Sequence, residues 1–352
     1  MPDTPSTAAS EAALEKLCQV YRQGMMCVFT GAGVSFTEAA AYKAPGWWGL
    51  LLETYAALRL ELSSDQAKAR FEALRAERPQ AWDAASALVS EAGSEAAFLA
   101  IMRRVLVGRT GRDKAYKRLP IAYLNHAATL NAVIAFCSRL RAVRIHPCLE
   151  PNPRLRAVLT LNYDWFLEGG ATQKYNANPF KPVASLESQE EPGRLPVYHL
   201  HGYIPHDVNE APRYPLILTA ESYREAYRPG AFTTETLDRF LGAFPALFVG
   251  VSFEDELLVR RIEGLSVGPT HFALFKAGSA DEMLLDRLRA AGVLPILYPD
   301  HDRVPDILGR VYQSGLDAKD LAIPHEGKNG QVIDQVQLTP EEYWAALLFN
   351  KL

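Results

Sequence analysis

Near the start of the chain, apolar positions first recur at helical spacing and then run together. Leu14, Leu17, Cys18 and Tyr21 fall on one face of an amphipathic helix. Met25-Met-Cys-Val-Phe-Thr30 follows as a short apolar run and gives way at once to Gly31-Ala-Gly-Val-Ser35. A run of that length closed by a glycine turn predicts a buried parallel strand feeding a loop. Residues 1–10 are polar, contain Pro2 and Pro5, and are expected to be disordered. From Trp47 to about Leu140 the sequence turns rich in Ala, Leu, Glu and Arg, with helices predicted over Ala67–Glu77 and Glu95–Val107. That stretch reads as a helical module inserted after the first strand and loop.

The strand signal returns near Arg156. Strands are predicted at Ala157–Leu161, Val197–His201, Leu216–Thr219, Leu247–Val251, Phe272–Phe275 and Leu294–Tyr298. Helical patterns at Ala220–Tyr227, Thr234–Leu241, Asp255–Ile262 and Asp281–Ala291 lie between several of them. Apolar strands alternating with helices define an α/β fold with a doubly wound, mainly parallel sheet of Rossmann-like type. Residues 1–310 are expected to form one domain, with the helical insertion spanning 47–145. Residues 179–196 are rich in Pro, Glu and Ser and read as a loop. Residues 311–352 form a tail with a polar linker, Glu326-Gly-Lys-Asn-Gly330, and a last helix opened by Thr339-Pro-Glu-Glu342. Trp344, Leu347, Leu348 and Leu352 share a face of that helix, which packs on its own domain or serves as an oligomer or partner contact.

Composition narrows the class. The chain has 352 residues, 48% of them hydrophobic, and a formal net charge of -4. A substantial core is available, and no basic block supports nucleic-acid binding. Cys18, Cys27, Cys137 and Cys148 form no C-x-x-C pair, and free thiols in a chain of this size suggest a reducing compartment. No apolar run approaches a membrane span, so a cytoplasmic protein is expected.

Three strand ends carry candidate chemistry. Gly31 and Gly33 let backbone approach a ligand without an intervening Cβ, and amides at a helix start can hold a pyrophosphate, with Ser35 adding a hydroxyl. The turn departs from the dehydrogenase fingerprint, because Phe36 stands at the third glycine position. Leu159-Thr-Leu-Asn-Tyr-Asp164 runs a strand into Asn162, which can bond ribose hydroxyls or water, and Asp164, which can cap the next helix or act in catalysis. Val197-Tyr-His-Leu-His-Gly202 places His199 and His201 on one face if the strand is regular. No carboxylate or cysteine cluster completes a metal site there, and none is expected. His201 falls on the carboxyl edge, where ligands bind in open α/β sheets, whereas His199 reads as structural.

With these residues in place, the chain resembles the sirtuin superfamily. Gly31-Ala-Gly-Val-Ser35, Leu161-Asn-Tyr-Asp164, His199-Leu-His-Gly202 and Phe248-Val-Gly-Val-Ser252 occur in the order of that family's signature motifs. Ala44-Pro-Gly-Trp47, Leu218-Thr-Ala-Glu-Ser-Tyr223 and Ser252-Phe-Glu-Asp255 are similar to divergent bacterial sirtuin-like domains of antiphage defence proteins. The resemblance covers roughly residues 20–310. It implies that Gly31, Ala32, Gly33 and Ser35 lie against the phosphates of NAD⁺. It sets Asn162 and Asp164 at the nicotinamide ribose, His201 as catalytic histidine, and Gly250 and Ser252 at the adenosine half. The paired zinc-binding cysteines of deacetylating sirtuins are absent, and Lys43-Ala-Pro-Gly-Trp47 replaces their Gly-x-Pro-Asp-Phe-Arg segment.

The branch so implied consumes NAD⁺ as a substrate, releasing nicotinamide and ADP-ribose or a cyclic form. It is activated by homo-oligomerisation or by a partner protein of the same operon. The helical insertion and the Trp344 helix are candidate assembly surfaces. Two other readings stay open: NAD⁺-dependent deacylation or ADP-ribosyl transfer, and a non-catalytic sensor or scaffold that holds NAD⁺ or ADP-ribose unchanged.

Overall fold

The computed structural model describes residues 5–35, 47–110, 121–142, 148–175, 178–205, 216–265, 268–327, 329 and 331–349. Phe36, the segment 43–46, residues 1–4, parts of the 326–330 linker and Leu352 lie outside them. The strands are β1 (Met26–Thr30), β2 (Ser138–Ala142), β3 (Cys148–Pro151), β4 (Leu155–Thr160), β5 (Phe180–Val183), β6 (Leu195–His199), β7 (Ala246–Val249), β8 (His271–Lys276), β9 (Val293–Tyr298), β10 (Ala322–Glu326) and β11 (Val332–Gln337).

Seven of them form one sheet in the order β5-β6-β4-β1-β7-β8-β9, and every adjacent pair in it is parallel. Helices cover both faces, so alternate side chains of one strand enter different cores. Val28, Val158, Leu247 and Val249 join a core with the helices Pro5–Gln23, Ala128–Phe136, Val304–Ser314 and Pro340–Phe349. Phe29, Leu159, Ala246 and Phe248 join the opposite core with Phe232–Leu241, Glu256–Gly264 and Glu282–Ala290. This two-sided burial is why the strands read as continuous apolar runs. Phe29 stacks on Phe248 across the β1–β7 pair at 4.8 Å between ring centres.

A third core gathers Leu50, Leu51, Phe71, Leu88, Phe98 and Met102 from the helices Trp47–Leu58, Ser64–Glu77, Ala81–Ala92 and Glu95–Thr110. Ile204, Leu216 and Leu218, which follow β6, insert into the same core. The helical module is therefore docked on the segment leaving the sheet at His201.

Several expectations need correction. The first helix begins at Pro5, so residues 5–10 are helical rather than disordered. Leu216–Thr219 is not a strand. Leu216 and Leu218 alternate inward because they enter the helical module's core, Ile217 N bonds the His201 carbonyl at 3.0 Å, and Thr219 caps the helix Ala220–Ala226. The loop over 179–196 contains the edge strand β5, whose Pro182 is tolerated there. Two antiparallel hairpins, β2–β3 and β10–β11, were not anticipated. At the last helix the capping box forms as read: Glu342 N donates to Thr339 Oγ1 and Thr339 N to Glu342 Oε2. Trp344 and Leu347 are buried in the main core, with Trp344 against Tyr312 at 5.5 Å. Trp344 and Leu347 thus pack on their own chain.

Candidate active site

The chain leaves β1 towards β4 on one side and later returns to β7 on the other. Connections that depart in opposite directions open a crevice at the carboxyl edge of the sheet, the usual ligand position in this topology. A cavity of about 1070 Å³ occupies it. Gly31, Ala32, Gly33, Asn162, Asp164, His201, Gly250 and Ser252 all line it, so residues from four strand ends face one cavity, while Ser35 is not among its lining residues. Trp47, Trp48, Trp82 and Tyr223 border it from the helical side, and Lys276, Ser279, Tyr298 and His301 from the ends of β8 and β9.

The glycine turn is built by backbone packing. Gly33 N donates to the Gly250 carbonyl at 2.9 Å, Gly31 N to Val249 O at 3.1 Å, and Val34 N to Gly31 O at 3.0 Å. A Cβ on Gly33 would lie 2.8 Å from Gly250 Cα, and one on Gly250, whose φ is +66°, would lie 2.5 Å from Val34 N. Glycine is required at both positions because two backbones touch. The expected array of free amides is therefore reduced: of residues 31, 32, 33 and 34, only Ala32 N–H has no partner among the described residues.

Ser35 also departs from expectation. It is buried, and its hydroxyl donates to Asp164 Oδ2 at 2.9 Å and accepts from Asn162 Nδ2 at 3.2 Å. It organises the two residues that line the cavity instead of offering a proton to a phosphate. Asp164 accepts a second bond from Phe166 N at 3.0 Å, which ties its carboxyl to the first amide of the helix Phe166–Tyr175. Burial pushes its carboxyl up to about 6, against the bonds from Phe166 and Ser35 and the attraction of His199.

Asn162 uses both amide hydrogens, on Gly31 O at 3.1 Å and on Ser35 Oγ. The carbonyl partner fixes the orientation of the amide, since Oδ1 could not face Gly31 O. Oδ1 has no partner among the described residues, so Asn162 presents an acceptor. Its backbone is held from below: the Asn162 carbonyl accepts from His199 Nδ1 at 3.1 Å, and His199 Nε2 meets Glu168 Oε1 at 2.9 Å. His199 is thus structural, as read.

The two histidines do not share a face. β6 ends at His199, and a turn closed by Gly202 N on His199 O at 3.1 Å, with Gly202 at φ +95°, redirects the chain. His201 therefore swings to a different set of neighbours. It is 6% exposed, its ring lies 5.3 Å from Tyr223 edge-on, and its Nε2 is 3.3 Å from the Tyr227 hydroxyl. Burial lowers its pKa to about 4, with Asp255 acting the other way, which leaves the imidazole neutral at physiological pH.

Sequence reasoning assigned no role to Tyr223, Tyr227, Asp255 or Trp82. Tyr227 donates to Asp255 Oδ2 at 2.9 Å, Asp255 Oδ1 caps the helix Glu256–Gly264 through Leu258 N at 2.9 Å, and Trp82 stacks on Tyr223 at 4.4 Å. The segments Leu218–Tyr223 and Ser252–Asp255 were visible as motifs, and they supply two of these residues. Among the described residues no three His, Cys, Asp or Glu side chains are arranged to hold a metal, and no single helix is long and apolar enough to cross a membrane.

Residues 156–296 match the SIR2-like domain family. The matched span runs from β4 into β9 and carries Asn162, Asp164, His201, Gly250, Ser252 and Asp255. SIR2-like domains use NAD⁺, so the match suggests an NAD-utilising enzyme. No curated protein matches the chain.

Proposed function

We propose that the protein is an NAD⁺ glycohydrolase that cleaves the nicotinamide–ribose bond. The observation that carries this reading is the neutral, buried His201 lining one cavity with the unpartnered Asn162 Oδ1, above the β1–β7 switch point. Strands lie about 4.8 Å apart, so a ligand crossing the sheet edge from β4 towards β8 spans the length of an extended dinucleotide. The reactive ribose would sit by Asn162 and His201, the pyrophosphate over Ala32, and the adenosine half towards Ser252 and Lys276.

The leaving group sets the demand on the protein. The pyridinium nitrogen of NAD⁺ is already charged, so nicotinamide departs neutral and no general acid is needed. The C1′–N1 bond breaks with its electron pair passing to nitrogen, leaving an oxocarbenium-like sugar. Water bonds to C1′ and loses a proton to His201, which passes it to solvent; the products are nicotinamide, ADP-ribose and a proton. Water attacking such a cation is strongly acidified, so a weak base suffices. Asn162 Oδ1 accepts from a ribose hydroxyl or from that water.

A constitutive enzyme of this kind would exhaust its host, so activity is held back until assembly or a partner protein releases it. The resemblance to antiphage defence domains supports activation by assembly or by a partner that senses infection. The test of the site is substitution: His201→Ala and Asn162→Ala lose about 10²–10⁴-fold in NAD⁺ consumption with unchanged circular dichroism. Full activity in both folded variants refutes it.

A further inference from the structure

We infer that Tyr227 and Asp255 position His201 by fixing its tautomer, so that Nε2 carries the proton and Nδ1 the lone pair used on substrate. This rests on the proposed reaction only for what the lone pair does; the tautomer itself follows from the hydrogen bonds.

The assignment starts at Asp255. Its Oδ1 accepts from Leu258 N at 2.9 Å as the cap of the helix Glu256–Gly264. Its Oδ2 lies 2.9 Å from the Tyr227 oxygen. A carboxylate has no hydrogen to give, so the single Tyr227 proton points at Asp255. The Tyr227 oxygen is then an acceptor in its other contacts, a hydrogen bond from the Tyr223 hydroxyl and the one 3.3 Å from His201 Nε2. Only an N–H can fill that contact. A neutral imidazole has one proton, so Nδ1 is bare, and it has no hydrogen-bond partner among the described residues. His199 differs: its Nδ1 donates to the Asn162 carbonyl and its Nε2 to Glu168 Oε1, so both of its nitrogens carry protons whereas His201 holds one.

Other contacts keep the ring in this pose. Ile217 N anchors the His201 carbonyl at 3.0 Å, Tyr223 meets the ring edge-on, and Tyr163 lies 6.3 Å away between ring centres. Asp255 Oδ2 stands 4.0 Å from Nε2, close enough to steady the imidazolium formed when Nδ1 takes a proton. Neither Tyr227 nor Asp255 needs to touch substrate.

The test is nitrogen NMR of the full chain labelled at histidine, with the His201 signal identified by its loss in His201→Gln. The wild type is expected to show a protonated Nε2 and a bare Nδ1. In Tyr227→Phe the signal moves towards a mixture of tautomers, and kcat falls at least about tenfold with KM changed less than about twofold. Asp255→Asn, which retains a helix cap, gives the same shift in direction. A protonated Nδ1 at His201 in the wild type, or a tautomer unmoved in Tyr227→Phe, overturns the inference. The expected NMR pattern in a chain that never consumes NAD⁺ leaves the tautomer assignment standing and removes the hydrolase reading instead.

Discussion

Glu168 Oε1 lies 2.9 Å from His199 Nε2, and both side chains are buried directly beneath Asn162. Burial works against the imidazolium, but the attraction and hydrogen bond of Glu168 outweigh it, so the His199 pKa is raised. The pair is an ion pair whose remaining ring proton holds the Asn162 carbonyl. Because the folded-state pKa is raised, its contribution is full below the ordinary histidine range and is lost as pH rises through the folded value. Removing one partner of a buried pair leaves the other uncompensated. Glu168→Gln is expected to cost about 3–5 kcal/mol, read as a fall in urea midpoint, and to reduce turnover by releasing Asn162. A variant of wild-type stability would show that the pair is not charged.

The Asp164 carboxyl titrates near 6 because burial disfavours its charge. The folded protein then holds this proton more tightly than the unfolded chain. Its contribution is full below the ordinary aspartate range and disappears as pH rises through about 6. Asp164→Asn removes that dependence. Between about pH 4 and about pH 8 the stability difference from wild type should move in favour of the variant by up to about 3 kcal/mol. Parallel stability–pH curves for the two proteins would contradict the assignment.

His201 has the reverse shift, and its effect is on catalysis. With a pKa lowered to about 4 by burial, the base is already unprotonated at neutral pH. The profile of kcat/KM should be flat down to about pH 5 as far as this group is concerned and fall only towards about pH 4. An acid limb that stays near the ordinary histidine value in Asp164→Asn would show that His201 is solvated in the free enzyme.

The glycine turn makes a steric prediction. A methyl on Gly33 meets Gly250 Cα at 2.8 Å, and neither backbone can yield without parting β1 from β7. Gly33→Ala should cost about 1–3 kcal/mol of stability and weaken NAD⁺ binding measured by calorimetry. Unchanged binding would mean that the turn does not contact the dinucleotide.

Much of the sheet was legible because burial on both faces leaves β1, β4 and β7 almost wholly apolar. The glycine turn, Asn162 and His201 were legible because they stand where those runs stop. What was missed has physical reasons. β11 is mostly exposed, and its apolar Val332, Ile333 and Val336 do not alternate with period two, so its pattern carries no half-buried strand signal. Leu216 and Leu218 mimic a strand because a helical module, not a sheet, receives them. The opposed roles of His199 and His201 depend on a turn at Gly202 that spacing alone does not reveal. Tyr227 sits in an ordinary helical pattern and Asp255 in an ordinary cap, and only the fold brings them to one imidazole.

The most direct measurement incubates the full chain, with the products of neighbouring genes, with NAD⁺ in ¹⁸O-labelled water and weighs the products. The account predicts unlabelled nicotinamide and ADP-ribose carrying one heavy oxygen at C1′, absent with His201→Gln. NAD⁺ bound but recovered intact, or cleavage that persists in His201→Gln, would contradict it.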